Sequence, residues 1–159
     1  MIDLPSLDLK MMGRALELAE KGLYTTKPNP RVGCVIVRDT KIVAEGWHRE
    51  AGKAHAEIEA LDKAGDRARG ADLYVNLEPC CHVGRTGPCT PALIEAGVRR
   101  VVVAMEDPNP KVSGNGIMSL KEAVIDVTLG PQSESARELN EGFVLRMEKR
   151  RPLVRVKLA

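Results

Sequence analysis

The fold is decided by residues 71–104, which read ADLYVNLEPCCHVGRTGPCTPALIEAGVRRVVVA. Residues 71–77 and 100–104 are short apolar runs rich in β-branched side chains, a pattern typical of buried strands. Between them, residues 90–96 predict a helix. Strands that alternate with helices in this way predict an α/β layer fold with a mixed sheet.

The rest of the chain adds elements on both sides of this unit. An antiparallel hairpin is predicted for residues 32–37 and 41–46, and a further strand for residues 125–129. Further helices are predicted at 8–22, 55–64, 117–123 and 132–149.

Residues 1–150 are predicted to form one domain, because 159 residues are a usual length for a single hydrophobic core. Residues 152–158 alternate apolar and polar side chains, and the chain then stops. Two interpretations of residues 151–159 stay open at this point. The segment is either a terminal edge strand or a stub that leads toward another domain.

The composition excludes several classes of protein. The 24 basic and 22 acidic residues give a net charge of only +2, which argues against a nucleic-acid partner. The sequence contains no apolar run of membrane-spanning length and no signal-peptide pattern. We therefore expect a cytoplasmic protein with no membrane partner, whose clustered cysteines indicate a metal site before a disulfide.

One imidazole and two thiols provide the residue types for that site. His55 and Glu57 form an H-x-E motif, and Cys80 follows a proline, with a further thiol at Cys89. A histidine and two cysteinates can hold a tetrahedral zinc ion that keeps one position open for water, and Glu57 can move protons beside it. This combination is the signature of zinc deaminases that act on nucleobases, except that eight residues instead of two separate the thiols.

Other ligand sets are possible. A closed site with four protein ligands would add Cys81 or His82 to His55, Cys80 and Cys89. Such a site has no open position for water, so Glu57 would have no chemical role in it. Because Cys80 directly follows the proline, we expect Cys81 not to be a ligand, and His82 is the main competitor. Cys34 lies inside an apolar run and is expected to be a core residue.

Four segments together resemble a known family. They are PNPRVGC at 28–34, GWH at 46–48 with HAE at 55–57, LEPCCHVGRTGPC at 77–89, and DPNPKV at 107–112. They resemble the diaminohydroxyphosphoribosylaminopyrimidine deaminase domain of the bacterial bifunctional riboflavin-biosynthesis proteins. The long cysteine loop is specific to that family. Three loop positions depart from the usual pattern: Cys81, Val83 and Gly87.

The resemblance implies a fold, a metal site and a set of substrate contacts. The fold would be a three-layer α/β/α arrangement with a central mixed sheet, of the cytidine deaminase-like type. Zn²⁺ would lie on His55, Cys80 and Cys89, with Glu57 as the proton shuttle. The implied substrate contacts are Asn29, His48, His82 and Arg85. Arg85 would suit a ribose phosphate, although Asn29, His48 and Arg85 each have an ordinary structural interpretation as well.

The implied reaction is hydrolytic removal of the 2-amino group from 2,5-diamino-6-(5-phosphoribosylamino)pyrimidin-4(3H)-one. The resemblance also implies a reductase domain or subunit in the intact protein, and we expect a homo-oligomer. Two other classes stay open. One is a deaminase of another free or nucleic-acid base; to act on RNA or DNA it would need a basic surface with aromatic side chains around its pocket. The other is a non-catalytic zinc module, which would not need Glu57.

Overall fold

The computed structural model describes residues 4–83 and 87–158. Five strands form one sheet: β1 (Gly33–Arg38), β2 (Lys41–Trp47), β3 (Asp72–Val75), β4 (Arg100–Val103) and β5 (Asp126–Leu129). The helices are α1 (Leu4–Glu20), α2 (Ala56–Ala64), α3 (Cys89–Ala96), α4 (Asn115–Glu122), α5 (Ser133–Leu139) and α6 (Glu141–Lys149), with a 3₁₀ turn at Gly65–Ala68. None of these helices is both long and apolar enough to cross a bilayer.

The sheet is mixed and has the strand order β2-β1-β3-β4-β5. The predicted hairpin places β1 antiparallel to β2, and β1 is also antiparallel to β3. The β3-β4 and β4-β5 pairs are parallel, because α3 and α4 return the chain across the sheet between successive strands. Tyr74 lies at the centre, with Val35 opposite it on one side and Val102 on the other.

Two hydrophobic cores lie on opposite faces of the sheet. Cys34 and Ile36 of β1 point into one core, which α2, α3 and α4 cover. Val35 and Val37 point into the other, which α1, α5 and α6 cover. Successive strand residues therefore alternate between two buried layers. The predicted three-layer α/β/α fold is confirmed, and Cys34 is the fully buried core residue that the sequence predicted.

Two glycines let helices approach the sheet very closely. A Cβ atom at Gly46 would lie 2.2 Å from the carbonyl oxygen of Ala56 in α2, and one at Gly33 would lie 2.0 Å from that of Ala15 in α1. Both contacts are with backbone atoms, which cannot rotate away. Gly46 thus fixes the distance between β2 and the first turn of α2.

The C-terminal region differs from the sequence prediction in its last helix. The single helix predicted at 132–149 is two helices that meet at Asn140. The Asn140 side chain accepts a hydrogen bond from the Arg31 amide at 2.8 Å and donates one to the Arg31 carbonyl at 2.8 Å. Residues 152–158 form no strand, and Arg155 there pairs with Glu141 of α6 at 2.7 Å. The division near residue 150 stays a prediction.

Candidate metal centre and active site

The three predicted ligands come from the starts of two helices and the end of a strand. His55 is the N-cap of α2, Cys80 follows β3, and Cys89 is the first residue of α3. The Cys80 carbonyl accepts hydrogen bonds from the amides of Cys89 at 3.0 Å and Thr90 at 3.1 Å. The long loop therefore returns to the point where it began, and the two thiols meet although eight residues separate them.

The donor atoms of His55, Cys80 and Cys89 all lie within 4.8 Å of one another. The Nδ1 atom of His55 is 3.2 Å from the Cys89 sulfur and 3.4 Å from the Cys80 sulfur. A tetrahedral zinc ion with Zn–N of about 2.0 Å and Zn–S of about 2.3 Å needs a nitrogen–sulfur separation near 3.5 Å. The three side chains thus fit zinc in both chemistry and spacing.

The two thiols differ in their readiness to ionise. A hydrogen bond from Cys89, together with His55, lowers the pKa of Cys80 to about 4. The same hydrogen bond and burial raise the pKa of Cys89 well above its ordinary value. A bound divalent cation favours ionisation of both thiols, since the metal ligand is the thiolate.

Glu57 lies in the first turn of α2, close to these ligands, and only 3 % of its surface is exposed. Burial raises the pKa of Glu57 to about 7, although His55 and a hydrogen bond with Cys89 favour the ionised carboxylate. Glu57 also lines the same pocket as His55 and Cys80. A carboxyl group with this affinity for a proton can both accept and donate one near neutral pH.

Asn29 and His48 are brought together by the structure. The amide nitrogen of Asn29 is 3.1 Å from Nε2 of His48, and Nδ1 of His48 is 3.0 Å from the Ala54 carbonyl. Because a carbonyl only accepts, Nδ1 carries the proton and Nε2 accepts from Asn29. Burial lowers the pKa of His48, which favours this neutral form. The ring also makes a T-shaped contact with His55, with centroids 5.4 Å apart.

A cavity of about 360 Å³ connects these residues. His82 lines it, and the buried Nδ1 atom of His82 has no hydrogen-bond partner within residues 4–83 and 87–158. Val83, one of the three departures from the family loop, is 79 % exposed. Arg85 lies outside the described residues, so its predicted role is neither supported nor opposed by the structure.

Several residues of the cavity wall were not predicted as site residues. They include Glu78, Asp107, Asn109, Phe143, Arg146 and Met147. Asp107 and Asn109 lie in the DPNPKV segment, so the sequence held a signal for them. The residues of α6 carry no such motif and reach the cavity only because α6 packs on the sheet.

Glu78 is a buried carboxylate that the sequence analysis did not single out. One of its oxygens accepts hydrogen bonds from the amides of Asp107 at 3.0 Å and Gly114 at 2.9 Å. The other accepts from the amides of Gly116 at 2.8 Å and Ile117 at 3.2 Å. Glu78 thereby ties the loop after β4 and the start of α4 to the strand end that leads into Cys80.

Comparison with known proteins gives consistent matches. Residues 5–105 match the model of the cytidine and deoxycytidylate deaminase zinc-binding region. The chain is 55 % identical over 147 residues to the riboflavin biosynthesis protein RibD of Escherichia coli, covering 92 % of this chain and 40 % of that protein. It is 54 % identical over 141 residues to the diaminohydroxyphosphoribosylamino-pyrimidine deaminase of Buchnera aphidicola, covering 89 % of this chain and 96 % of the relative.

Solved structures agree with this similarity. RibD of Acinetobacter baumannii superposes with a TM-score of 0.88 at 52 % identity, covering 90 % of this chain and 40 % of that one. A deaminase/reductase of Thermotoga maritima superposes with a TM-score of 0.90 at 43 % identity, covering 94 % of this chain and 44 % of that one. The chain thus spans about two fifths of the length of the RibD relatives that it matches.

Proposed function

The chain belongs to the cytidine and deoxycytidylate deaminase family, among the riboflavin-biosynthesis deaminases, and we propose that it deaminates a phosphoribosylated aminopyrimidine. The reaction is hydrolytic removal of the 2-amino group of 2,5-diamino-6-(5-phosphoribosylamino)pyrimidin-4(3H)-one. The observation that carries this proposal is the buried Glu57 beside the His55, Cys80 and Cys89 cluster, at the wall of a cavity of about 360 Å³.

His55, Cys80 and Cys89 would hold the zinc ion. When bound, zinc supplies Lewis-acid activation of a water molecule, which allows hydrolysis at neutral pH. Glu57 takes a proton from the attacking water and passes it to the ring nitrogen. It then takes the proton of the hydroxyl group that has added to the ring carbon and gives it to the departing amino group. The carbonyl forms as the carbon–nitrogen bond breaks, so that water is consumed and ammonia is released.

The neighbouring side chains would orient the base. His48 is neutral and is held at both ring nitrogens, so it fixes the Asn29 amide group at the cavity wall. His82 offers a buried ring nitrogen that a polar group of the substrate can satisfy. Arg85, which lies outside the described residues, remains the proposed contact between the cysteine loop and the ribose phosphate.

Zinc content is the first test of the ligand assignment. We expect one zinc ion per chain with Zn–S distances of about 2.3 Å, measured by elemental analysis and X-ray absorption. Cys89→Ser should lose most of the zinc, because the remaining thiolate and imidazole make a weaker site. Cys81→Ser is the matched control and should retain it. Coordination by Cys81 or His82 would contradict the assignment.

Ammonia release tests the reaction itself. The zinc-loaded protein should release ammonia from the phosphoribosylated diaminopyrimidinone and not from cytidine in single-stranded RNA or DNA. Release from the nucleic acid instead would favour a base-editing deaminase. No release from any of these substrates by the zinc-loaded protein would favour a non-catalytic zinc module.

Partners and location complete the proposal. The Thermotoga maritima relative is described as a combined deaminase and 5-amino-6-(5-phosphoribosylamino)uracil reductase. We propose that a reductase domain or subunit uses the product of this chain in the intact protein. We further propose that the protein is a cytoplasmic homo-oligomer, which sedimentation analysis and cell fractionation would test.

A further inference from the structure

Arg146, in α6, is distinctive among the cavity residues because of its charge. Among the described residues it is the one lysine or arginine that lines the cavity. The acidic residues of the described wall are Glu57, Glu78 and Asp107. Apart from Arg146, the described wall therefore has no lysine or arginine that could bind an anionic substrate.

The guanidinium of Arg146 is anchored but not neutralised. Its Nη2 atom donates a hydrogen bond to the Pro28 carbonyl at 2.6 Å, and the group lies 5.7 Å from the centre of the Phe143 ring. No carboxylate forms an ion pair with it within the described ranges, whereas Arg137 and Arg155 are paired with Glu148 and Glu141. Its buried Nε atom has no hydrogen-bond partner among the described residues.

We propose that Arg146 forms a phosphate subsite of this cavity and selects phosphorylated substrates. The proposal rests on the function proposed above, whose substrate carries a ribose phosphate. A guanidinium has five N–H donors in a planar fork that suits phosphate oxygens. Here Nη2 donates to Pro28, which holds the fork in place, and Nη1 forms no hydrogen bond with a described residue, so that its donors can bind an anion. The Arg146 subsite would act beside, or instead of, Arg85.

A purely structural role for Arg146 predicts a different result. Its hydrogen bond to Pro28 also holds the segment that carries Asn29. Loss of that bond alone would weaken binding of the base, and so would affect phosphorylated and dephosphorylated substrates equally. Loss of a phosphate contact would affect only the phosphorylated one. The difference in KM between the two substrates therefore separates the two roles.

The kinetic test compares Arg146→Ala with Lys149→Ala. For Arg146→Ala we expect KM for the phosphorylated substrate to rise by about ten- to a hundredfold, with kcat little changed. KM for the dephosphorylated nucleoside should rise much less, because that substrate is affected only by the loss of the hydrogen bond to Pro28. Arg146→Lys should retain part of the preference, because a cation remains. Lys149 is exposed on the same helix and lies outside the cavity, so Lys149→Ala should behave as the unsubstituted protein. An equal rise in KM for both substrates would overturn the proposal.

A binding test does not depend on turnover. Ribose 5-phosphate is titrated into the zinc-loaded protein by calorimetry, with ribose as the control for the sugar. We expect Arg146→Ala to weaken ribose 5-phosphate binding by about tenfold or more. If the unsubstituted protein binds ribose 5-phosphate but releases no ammonia, and Arg146→Ala weakens that binding, the proposed reaction fails and the subsite stands. If Arg146→Ala binds ribose 5-phosphate normally while ammonia release is intact, the subsite fails and the proposed reaction stands.

Discussion

Glu57→Gln is expected to lower kcat by about a hundred- to ten-thousandfold, the usual contribution of general acid–base catalysis. Glutamine has the size of glutamate and can accept hydrogen bonds, but it cannot take up and release the proton that hydrolysis must move. Zinc content and thermal stability should stay near those of the unsubstituted protein. Steady-state ammonia release and elemental analysis measure the two quantities.

The control for this substitution is Glu59→Gln, two residues further along α2. Glu59 forms ion pairs with Lys63 at 2.8 Å and with Arg49, accepts a hydrogen bond from the Trp47 amide at 3.2 Å, and does not line the cavity. Glutamine keeps an acceptor for that amide and the loss of the ion pairs costs little, so kcat should change by less than about twofold. Near-normal turnover of Glu57→Gln would exclude Glu57 as the acid–base group. Loss of zinc would show that its carboxylate supports the metal instead.

Glu78→Ala is expected to reduce the free energy of unfolding by about 3 kcal/mol or more. The substitution leaves four backbone N–H groups without their acceptor, and each buried unsatisfied donor costs about 1–3 kcal/mol. Some will find water, which is why the expected loss is smaller than the sum. Urea unfolding of the zinc-loaded protein measures this loss.

Two further variants test the reason for this loss. Glu78→Gln keeps the shape but turns one acceptor oxygen into an amide that faces two N–H donors, so its loss should be intermediate. Glu122→Ala removes an exposed glutamate from the other end of α4 and should change stability by less than about 0.5 kcal/mol. Similar losses for Glu78→Ala and Glu122→Ala would rule out Glu78 as the anchor of this loop.

Much of the fold follows from local sequence patterns. The runs at 32–37 and 100–104 are apolar because those strands are buried on both faces, and the structure confirms strands at both places. The division of the last helix at Asn140 has a different origin. It depends on hydrogen bonds with the backbone of Arg31, which is 109 residues away in sequence. No local periodicity contains that information.

The residues of the candidate site also form two groups, those that local motifs predict and those that depend on contacts distant in sequence. His55, Glu57 and the cysteines belong to short motifs, so their residue types and spacing were sufficient to predict that they meet. Phe143 and Arg146 reach the cavity through the packing of α6 on the sheet, which sequence spacing does not encode. Glu78 adjoins Pro79 and Cys80, but its four partners lie in a segment about 30 to 40 residues later.

The close contact between Gly46 and α2 has a consequence for mutational scanning. In a screen that scores growth or activity alone, substitutions at Gly46 would be as damaging as those at a residue that handles the substrate. The cause would be displacement of the helix that carries Glu57, since even a methyl group would lie 2.2 Å from the Ala56 carbonyl oxygen. Intolerance in such a screen would therefore overstate the number of residues that take part in the chemistry.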